Sequence, residues 1–413
     1  MGIFKKIIAQ FRGKSQHLFP HLIRQDHHVL SRQNIDENAL KVLYRLHEVG
    51  FQSYLVGGSV RDLLLGRTPK DFDVVTNAHP EQVRKLFRNS RLIGRRFKLV
   101  HVFYEGDIIE VSTFRGGQTN NTYGRLEEDV WRRDFTINAL YYNIADGSVV
   151  DYTQGVKDLE QRVIRMIGDP ATRLQEDPVR ILRAIRLSAK LDFAIAPEIE
   201  TLFVTYGNLL SSVSSARLFD EILKLFFGGN ALVTYHTLLQ YDFVKIFFPQ
   251  TVKALATPHS DQFAELIREA MLATDTRFTQ KQPLNPGYLF AVLAWPVLQK
   301  QLNQHPLKKK KFSAALHSSV IWVIAKQLES LKIPKRYTSM MRDMWMLQYH
   351  LKRKRGRRVY RTLNHRYYRA GIDFMALRSV VGEPVGDLVK WWRTFETATN
   401  EERQAMCGSL DVL

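Results

Sequence analysis

The apolar residues of this chain change their period once, and that change limits the folds open to it. Up to about residue 157, short β-branched or alternating runs ("SYLV", "DFDVVT", "KLVHVFY", "DIIEVSTF") are separated by helix-like segments and glycine turns, the pattern of an α/β layer. From about Asp158 the spacing becomes helical for most of the remaining chain. In "SSARLFDEILKLFFGGN", Leu218, Phe219, Ile222, Leu223 and Phe226 recur at helical spacing before the stop at Gly228 and Gly229. With 413 residues the chain is long enough for more than one core. The predicted class is α+β: a small α/β head (34–157) after a basic N-terminal arm (1–33), then a helical neck (158–215), a helical body (216–350) and a basic C-terminal region (351–413).

Sixty Lys and Arg against 41 Asp and Glu leave a formal charge of +19, which favours a polyanionic partner but does not choose among RNA, DNA and an anionic membrane surface. A single cysteine, Cys407, excludes an intrachain disulfide and a cysteine-built zinc site, so a reducing, cytoplasmic setting is expected. No apolar run approaches the roughly 18 residues of a membrane span, so stable membrane insertion is not expected. The opening "MGIFKKIIAQFRGK" reads as a frayed terminal helix or a short basic amphipathic one.

The stretch "VGGSVRDLLLGRTPKDFDVV" concentrates chemistry. Gly57 and Gly58, between a strand and a short helix, permit close backbone approach and suit an anion such as a triphosphate, with Arg61 one turn on as a charged donor. On a strand, Asp71 and Asp73 share one face, where two carboxylates repel unless a cation lies between them. Mg²⁺ takes oxygen ligands through one or two carboxylates plus substrate phosphates. These features together read as a metal-dependent nucleotidyl or phosphoryl transfer site. Glu110, on a neighbouring predicted strand, is a candidate third ligand or an exposed strand residue; Ile108 on the same face makes the alternation imperfect. The rival P-loop is excluded, because Ile8 stands where "GKS" at 13–15 would need its first glycine.

Two further clusters follow. In "EEDVWRRDFTINALYYN", Arg133 is suited to neutralise phosphate and Asp134 to approach metal or ribose hydroxyls; a surface ion pair at a helix start accounts for them too. In "QEDPVRILRAIRLSAKL", Asp177 suits an N-cap and Pro178 the first turn, while Arg180, Arg183 and Arg186 form one ridge of the helix. That ridge serves either a nucleotide base or a solvated face.

These motifs resemble the class II nucleotidyltransferase family, which contains bacterial poly(A) polymerases and tRNA CCA-adding enzymes. "GGSVRDLLLGRTPKDFD" looks like its metal and triphosphate motif, "RRDFTIN" its ribose-contacting motif and "EDPVR" its nucleotide-recognition motif, in that order. "LIGRRFKLVHV", "IPKRYTSMMRDMWMLQYHLKRKRGRR" and "LVKWW" are similar to segments of the poly(A) polymerases, and no His-Asp dipeptide supports the phosphohydrolase domain of some CCA-adding relatives. The segment 116–129 is short for that subfamily. The resemblance implies catalytic roles for Asp71, Asp73 and Asp134, with two Mg²⁺ ions on Asp71, Asp73 and either Glu110 or Asp134. It implies nucleotide contacts from Gly57, Gly58, Arg61, Arg133, Asp177, Arg180, Arg183 and Arg186. The implied reaction adds AMP from ATP to RNA 3′ ends, with no separate histidine base. CCA addition to tRNA is the same-fold alternative, and an RNA-binding protein with a silent head is the alternative of another class.

The RNA partner is expected along 352–369, "KRKRGRRVYRTLNHRYYR", where nine Lys and Arg occur without an acid and with Tyr360, Tyr367 and Tyr368 interleaved for stacking. The candidate contacts are Lys352, Arg353, Lys354, Arg355, Arg357, Arg358, Tyr360 and Arg361. "KKKK" at 308–311 reads as a loop.

Overall fold

A computed structural model describes residues 19–94, 98–117, 122–257, 260–304 and 309–407. The N-terminal helix expected at 1–14 and the Arg-Arg-Phe of "GRRF" lie outside the described residues. The chain divides into two compact units. One takes the chain up to Arg180 together with Leu191–Leu202, and the other takes Ile181–Lys190 and the chain from Phe203 onward.

The first unit holds an eight-stranded mixed sheet. Its strands are β1 (His21–Ile23), β2 (Ser53–Val56), β3 (Asp73–Thr76), β4 (Ser90–Ile93), β5 (Leu99–Tyr104) and β6 (Asp107–Thr113), with β9 (Leu140–Asn143) and β10 (Val149–Asp151). They lie in the order β1-β10-β9-β2-β3-β6-β5-β4. The short β7 (Arg115–Gly116) and β8 (Thr122–Tyr123) pair separately. Because β1 pairs with β10 through His21 to Asp151, the head sheet begins before residue 34, inside what the sequence suggests is an arm. Within the eight-stranded sheet β3 and β6 are the one parallel pair among the described residues, and each contributes fully buried valines (Val74, Val75, Val111) to the core.

Helix α1 (Glu37–Glu48) starts where the Asp36 carboxylate accepts from the Asn38 and Ala39 amides at 2.8 and 3.1 Å. It buries Ala39, Val42, Leu43 and Leu46. Tyr44 falls off that face, and its hydroxyl accepts from Arg32. Helix α2 (Gly58–Leu64) follows β2 directly, and α3 (Pro80–Leu86) and α4 (Leu126–Arg132) complete the helices near the site.

The second unit is helical. Ser215–Phe226 buries Leu218, Phe219, Ile222 and Phe226, as its periodicity predicts; Leu225, which that stripe did not include, is buried as well, and Leu223 is half-buried. One expectation fails here. Lys309–Ser330 is one 22-residue helix, so Lys309, Lys310 and Lys311 open a helix rather than a loop. The basic C-terminal region shares its core with the residues before it, since Leu347 and Leu351 pack in one cluster with Val359, Tyr368, Ile372, Trp392 and Phe395. Among the described residues no helix is long and apolar enough to cross a membrane.

Candidate active site

Gly57 turns the chain from β2 into α2 with φ +77° and ψ −131°, a conformation that a side chain disfavours. Its own N–H donates to the Leu140 carbonyl at 3.3 Å, so its contribution is shape rather than a free donor. A Cβ there would lie 3.4 Å from Arg133 Nη1, and one on Gly58 would lie 3.4 Å from Arg61 Nη2. Both distances are ordinary van der Waals contacts, so a guanidinium lies against each glycine, and the positive φ of Gly57 is what calls for glycine there.

Arg61 is only 4% exposed. Its Nε and Nη2 donate to Asp62 Oδ1 at 2.8 and 2.7 Å, and Nη1 donates to Asn138 Oδ1 at 2.5 Å. It braces the turn from within. Arg133 lies at the end of α4 instead of at a helix start, as the surface-pair reading would have it. Its guanidinium donates to Asp129 Oδ2 and to the Tyr141 hydroxyl. Asp134, 9% exposed, accepts from the Phe135 amide at 2.9 Å and from Asn138 Nδ2 at 3.5 Å. Asn138 thus touches the side chains of Arg61 and Asp134, and its carbonyl accepts from Arg133 Nη1 at 3.4 Å.

The strand carrying the acids starts at Asp73, and Asp71 lies two residues before it. Parallel pairing puts Asp73 directly opposite Glu110 on β6, while antiparallel pairing puts it opposite Val56 on β2. Asp73 reaches solvent yet is crowded by protein, and burial together with the negative charges of Glu110 and Asp71 pushes its carboxyl up to about 6 against the pull of Arg133. Glu110 Oε2 is 3.6 Å from His101 Nε2. Among the described residues no three His, Cys, Asp or Glu side chains converge to hold a metal ion unaided. The donor set nevertheless fits Mg²⁺: hard oxygens that repel one another, facing a turn shaped for phosphate, suit an ion that completes its shell with substrate oxygens.

Asp177 Oδ1 accepts from the Val179 amide at 3.2 Å, in the capping position expected of it. Arg180 donates to the Arg173 carbonyl and to Glu176 Oε2; burial, then the neighbouring Arg173 charge, lowers its pKa. Arg183 and Arg186 are half-buried on the part of the same helix that belongs to the second unit. Asp129, Asn138 and Tyr141 are additions to the predicted set. The four-residue spacing of Asp129 and Arg133 was a visible signal, whereas Tyr141 meets them only after the chain folds back into β9.

In the second unit, Lys352, Arg355, Arg357, Arg358 and Arg361 are exposed, and Arg353 and Lys354 are half-buried. Arg353 lies over the Tyr349 ring. Val359 and Thr362 are the buried side of the helix Arg358–Leu363. Tyr368 corrects the expectation of a stacking platform: it is 4% exposed, and its hydroxyl donates to the Trp392 carbonyl at 3.1 Å. Tyr360 is half-buried with its ring edge against Phe395, which leaves only part of it for a base.

Residues 53–165 match the poly A polymerase head domain, 192–255 the probable RNA and SrmB-binding site of polymerase A, and 308–411 the polymerase A arginine-rich C-terminus. Poly(A) polymerase I of Salmonella typhi is 43% identical over 98% of this chain and 93% of that protein. Its counterpart from Haemophilus influenzae is 40% identical over 91% and 88%. The CCA-adding enzyme of Bacillus subtilis is 38% identical over only 57% of this chain. A tRNA nucleotidyltransferase solved with a primer tRNA and an incoming ATP analogue shares the fold, with a TM-score of 0.59 at 23% identity over 85% of this chain and 97% of that one. With such identity sustained along nearly the whole length, the chain belongs to the bacterial poly(A) polymerase family.

Proposed function

We infer that the chain works as its family does, as a polynucleotide adenylyltransferase that adds AMP from ATP to RNA 3′ ends without a template. The RNA 3′-hydroxyl attacks the α-phosphate, a new P–O bond forms, and the bond to the β-phosphate breaks to release pyrophosphate. The single observation that carries this reading is the pairing of Asp73 with Glu110 beside the Gly57 turn and the Arg133 guanidinium.

In this reading Asp71 and Asp73, with Glu110 or Asp134, hold Mg²⁺. When bound, the metal supplies Lewis-acid activation of the attacking hydroxyl and neutralises triphosphate charge. Gly57 and Gly58 admit the triphosphate close to the backbone, and Arg133 offers its outer nitrogen to it. Arg61, committed to Asp62 and Asn138, keeps the turn in shape. Asp134 addresses the ribose, and Asp177 with Arg180, Arg183 and Arg186 addresses the base. The exposed Lys352, Arg355, Arg357, Arg358 and Arg361 bind RNA phosphates, with Arg353, Lys354 and part of Tyr360 beside them. The work of these side chains is mainly positioning and electrostatics.

The test is primer extension with purified protein and Mg²⁺, giving each nucleoside triphosphate separately to an unstructured RNA and to a tRNA lacking its 3′ end. Long ladders with ATP alone on the unstructured RNA are expected. Short, tRNA-dependent addition of C and then A would move the chain to CCA addition, and no extension of either RNA would leave an RNA-binding protein with a silent head.

A further inference from the structure

Arg133 is held far more tightly than a phosphate-facing arginine on an open surface. Its Nε donates to the Tyr141 hydroxyl at 2.7 Å and to Asp129 Oδ2 at 3.2 Å, and Nη2 donates to the same carboxylate oxygen at 3.1 Å. The Tyr141 hydroxyl in turn donates to Asp129 Oδ2 at 2.7 Å, closing a triangle. The second carboxylate oxygen accepts from the Arg115 amide at 3.0 Å. Asp129 is 4% exposed and Tyr141 fully buried. The main chain is fixed as well, because Arg173 Nη2 donates to the Arg133 carbonyl at 2.6 Å.

All the strong bonds use the Nε and Nη2 side of the guanidinium. Nη1 is left at the Gly57 turn, with only a 3.4 Å contact to the Asn138 carbonyl. Sheet register sets this aim: Tyr141 on β9 pairs with Val56, the residue immediately before Gly57. A buried ion pair is a poor device for stability alone, since apolar replacements of the same volume often serve as well or better. Its specific product here is an arginine whose one open edge is fixed relative to the turn.

We propose that Asp129 and Tyr141 are positioning residues that act through Arg133, holding its Nη1 edge at the β2–α2 turn so that it engages the β- and γ-phosphates of the nucleotide and then the departing pyrophosphate. This rests on the adenylyltransferase reading above. It adds that the pyrophosphate-facing charge is set from behind, by a hydroxyl and a carboxylate that never touch the substrate. Tyr141→Phe is the sharpest probe, because it keeps the buried ring and removes only the hydroxyl.

The experiment is calorimetric titration of Mg-ATP and of Mg-pyrophosphate into the full chain as wild type, Tyr141→Phe, Arg133→Ala and the double variant, with oligo(A) binding and melting temperature measured alongside. Tyr141→Phe is expected to weaken ATP and pyrophosphate alike by roughly tenfold to a hundredfold, the range of one lost hydrogen bond to a charged group. Oligo(A) affinity should stay unchanged. In the Arg133→Ala background the same substitution should have no further effect, since the two residues then act as one unit. Additive losses, an unchanged pyrophosphate affinity, or a parallel fall in oligo(A) binding would each overturn the proposal while leaving the extension reaction standing. A wild-type chain that neither extends RNA nor binds ATP or pyrophosphate would remove the functional reading and this inference with it.

Discussion

Asp73 is strained by its neighbours in the absence of a cation. Its carboxyl in the folded chain titrates near 6, against an ordinary 3.8, so folding takes up protons between those values. The sign follows: the stability conferred by the protonated form is complete below about 4, declines as pH rises and is gone above about 6. A divalent cation needs the ionised form, and so competes with that proton. Mg²⁺ should raise the melting temperature of the wild type at pH 7.5 and lose most of that effect at pH 5. Asp73→Asn, which mimics the protonated group, should raise metal-free stability at pH 7.5, abolish the Mg²⁺ response and reduce nucleotide incorporation to background. Differential scanning fluorimetry with and without Mg²⁺ at both pH values checks this, and an Asp73→Asn chain still stabilised by Mg²⁺ would place the metal elsewhere. The two acids were legible in "DFDVV", but the expectation that one strand face presents both does not hold, because the strand begins at Asp73 and Asp71 precedes it. The partnership of Asp73 with Glu110 was legible only in part. The two residues are 37 positions apart and meet through a parallel pairing that local alternation does not report, and exposed Ile108 blurs the face on which Glu110 lies.

Among the elements, the turn from β2 into α2 governs the site, and its weak point is Gly57. A methyl group there adds on the order of 1–3 kcal/mol of backbone strain, because its φ and ψ lie where side chains are rarely accommodated. The same Cβ would lie in ordinary van der Waals contact with Arg133 Nη1, at 3.4 Å, so the strained turn is the one against which that guanidinium rests. Gly57→Ala should therefore lower the denaturation midpoint and weaken ATP more than RNA. Gly66→Ala provides a control, since Gly66 has φ +67° with open space around its Cβ position and should show the stability loss without the nucleotide effect. Equal nucleotide affinity in the two variants would remove Gly57 from the phosphate turn. The sequence made this element readable, since a glycine pair between an apolar strand and a helix has few other uses. It did not reveal how Arg61 is employed. An arginine one turn into a helix looks like a free donor until Asp62 and Asn138 are seen to occupy it. Lys309–Lys311 misled for a related reason: a run of like charges disfavours a helix locally, but Val320 and Val323 further along the same helix are buried, and that packing sustains it.

For the molecule as a whole, composition announced a polyanion partner, and the fold shows which part of the second unit has charge to offer. In 352–369 the apolar positions have turned inward. Val359 and Tyr368 join Trp392 and Phe395 in one cluster, and Trp392 Nε1 donates to the Leu351 carbonyl at 2.7 Å. Counting charges along the sequence could not separate these roles, because Tyr360, Tyr367 and Tyr368 look equivalent until burial distinguishes them. What remains exposed is mostly guanidinium, so binding should be governed by counterion release rather than by stacking. Single-stranded nucleic acid loses about 0.7 in the slope of log K against log salt for each phosphate contact, so neutralising Arg355, Arg357, Arg358 and Arg361 together should flatten the slope for oligo(A) by up to about 3. Tyr368→Phe should lower the melting temperature, because it removes the buried hydroxyl bond to the Trp392 carbonyl, yet leave the salt slope as it was. Fluorescence anisotropy across a salt series, run beside thermal melts of the same proteins, separates the two effects. A slope unchanged by the four arginine substitutions would move the RNA path to another basic surface, and a slope flattened by Tyr368→Phe would mean that the tyrosine reaches RNA despite its burial.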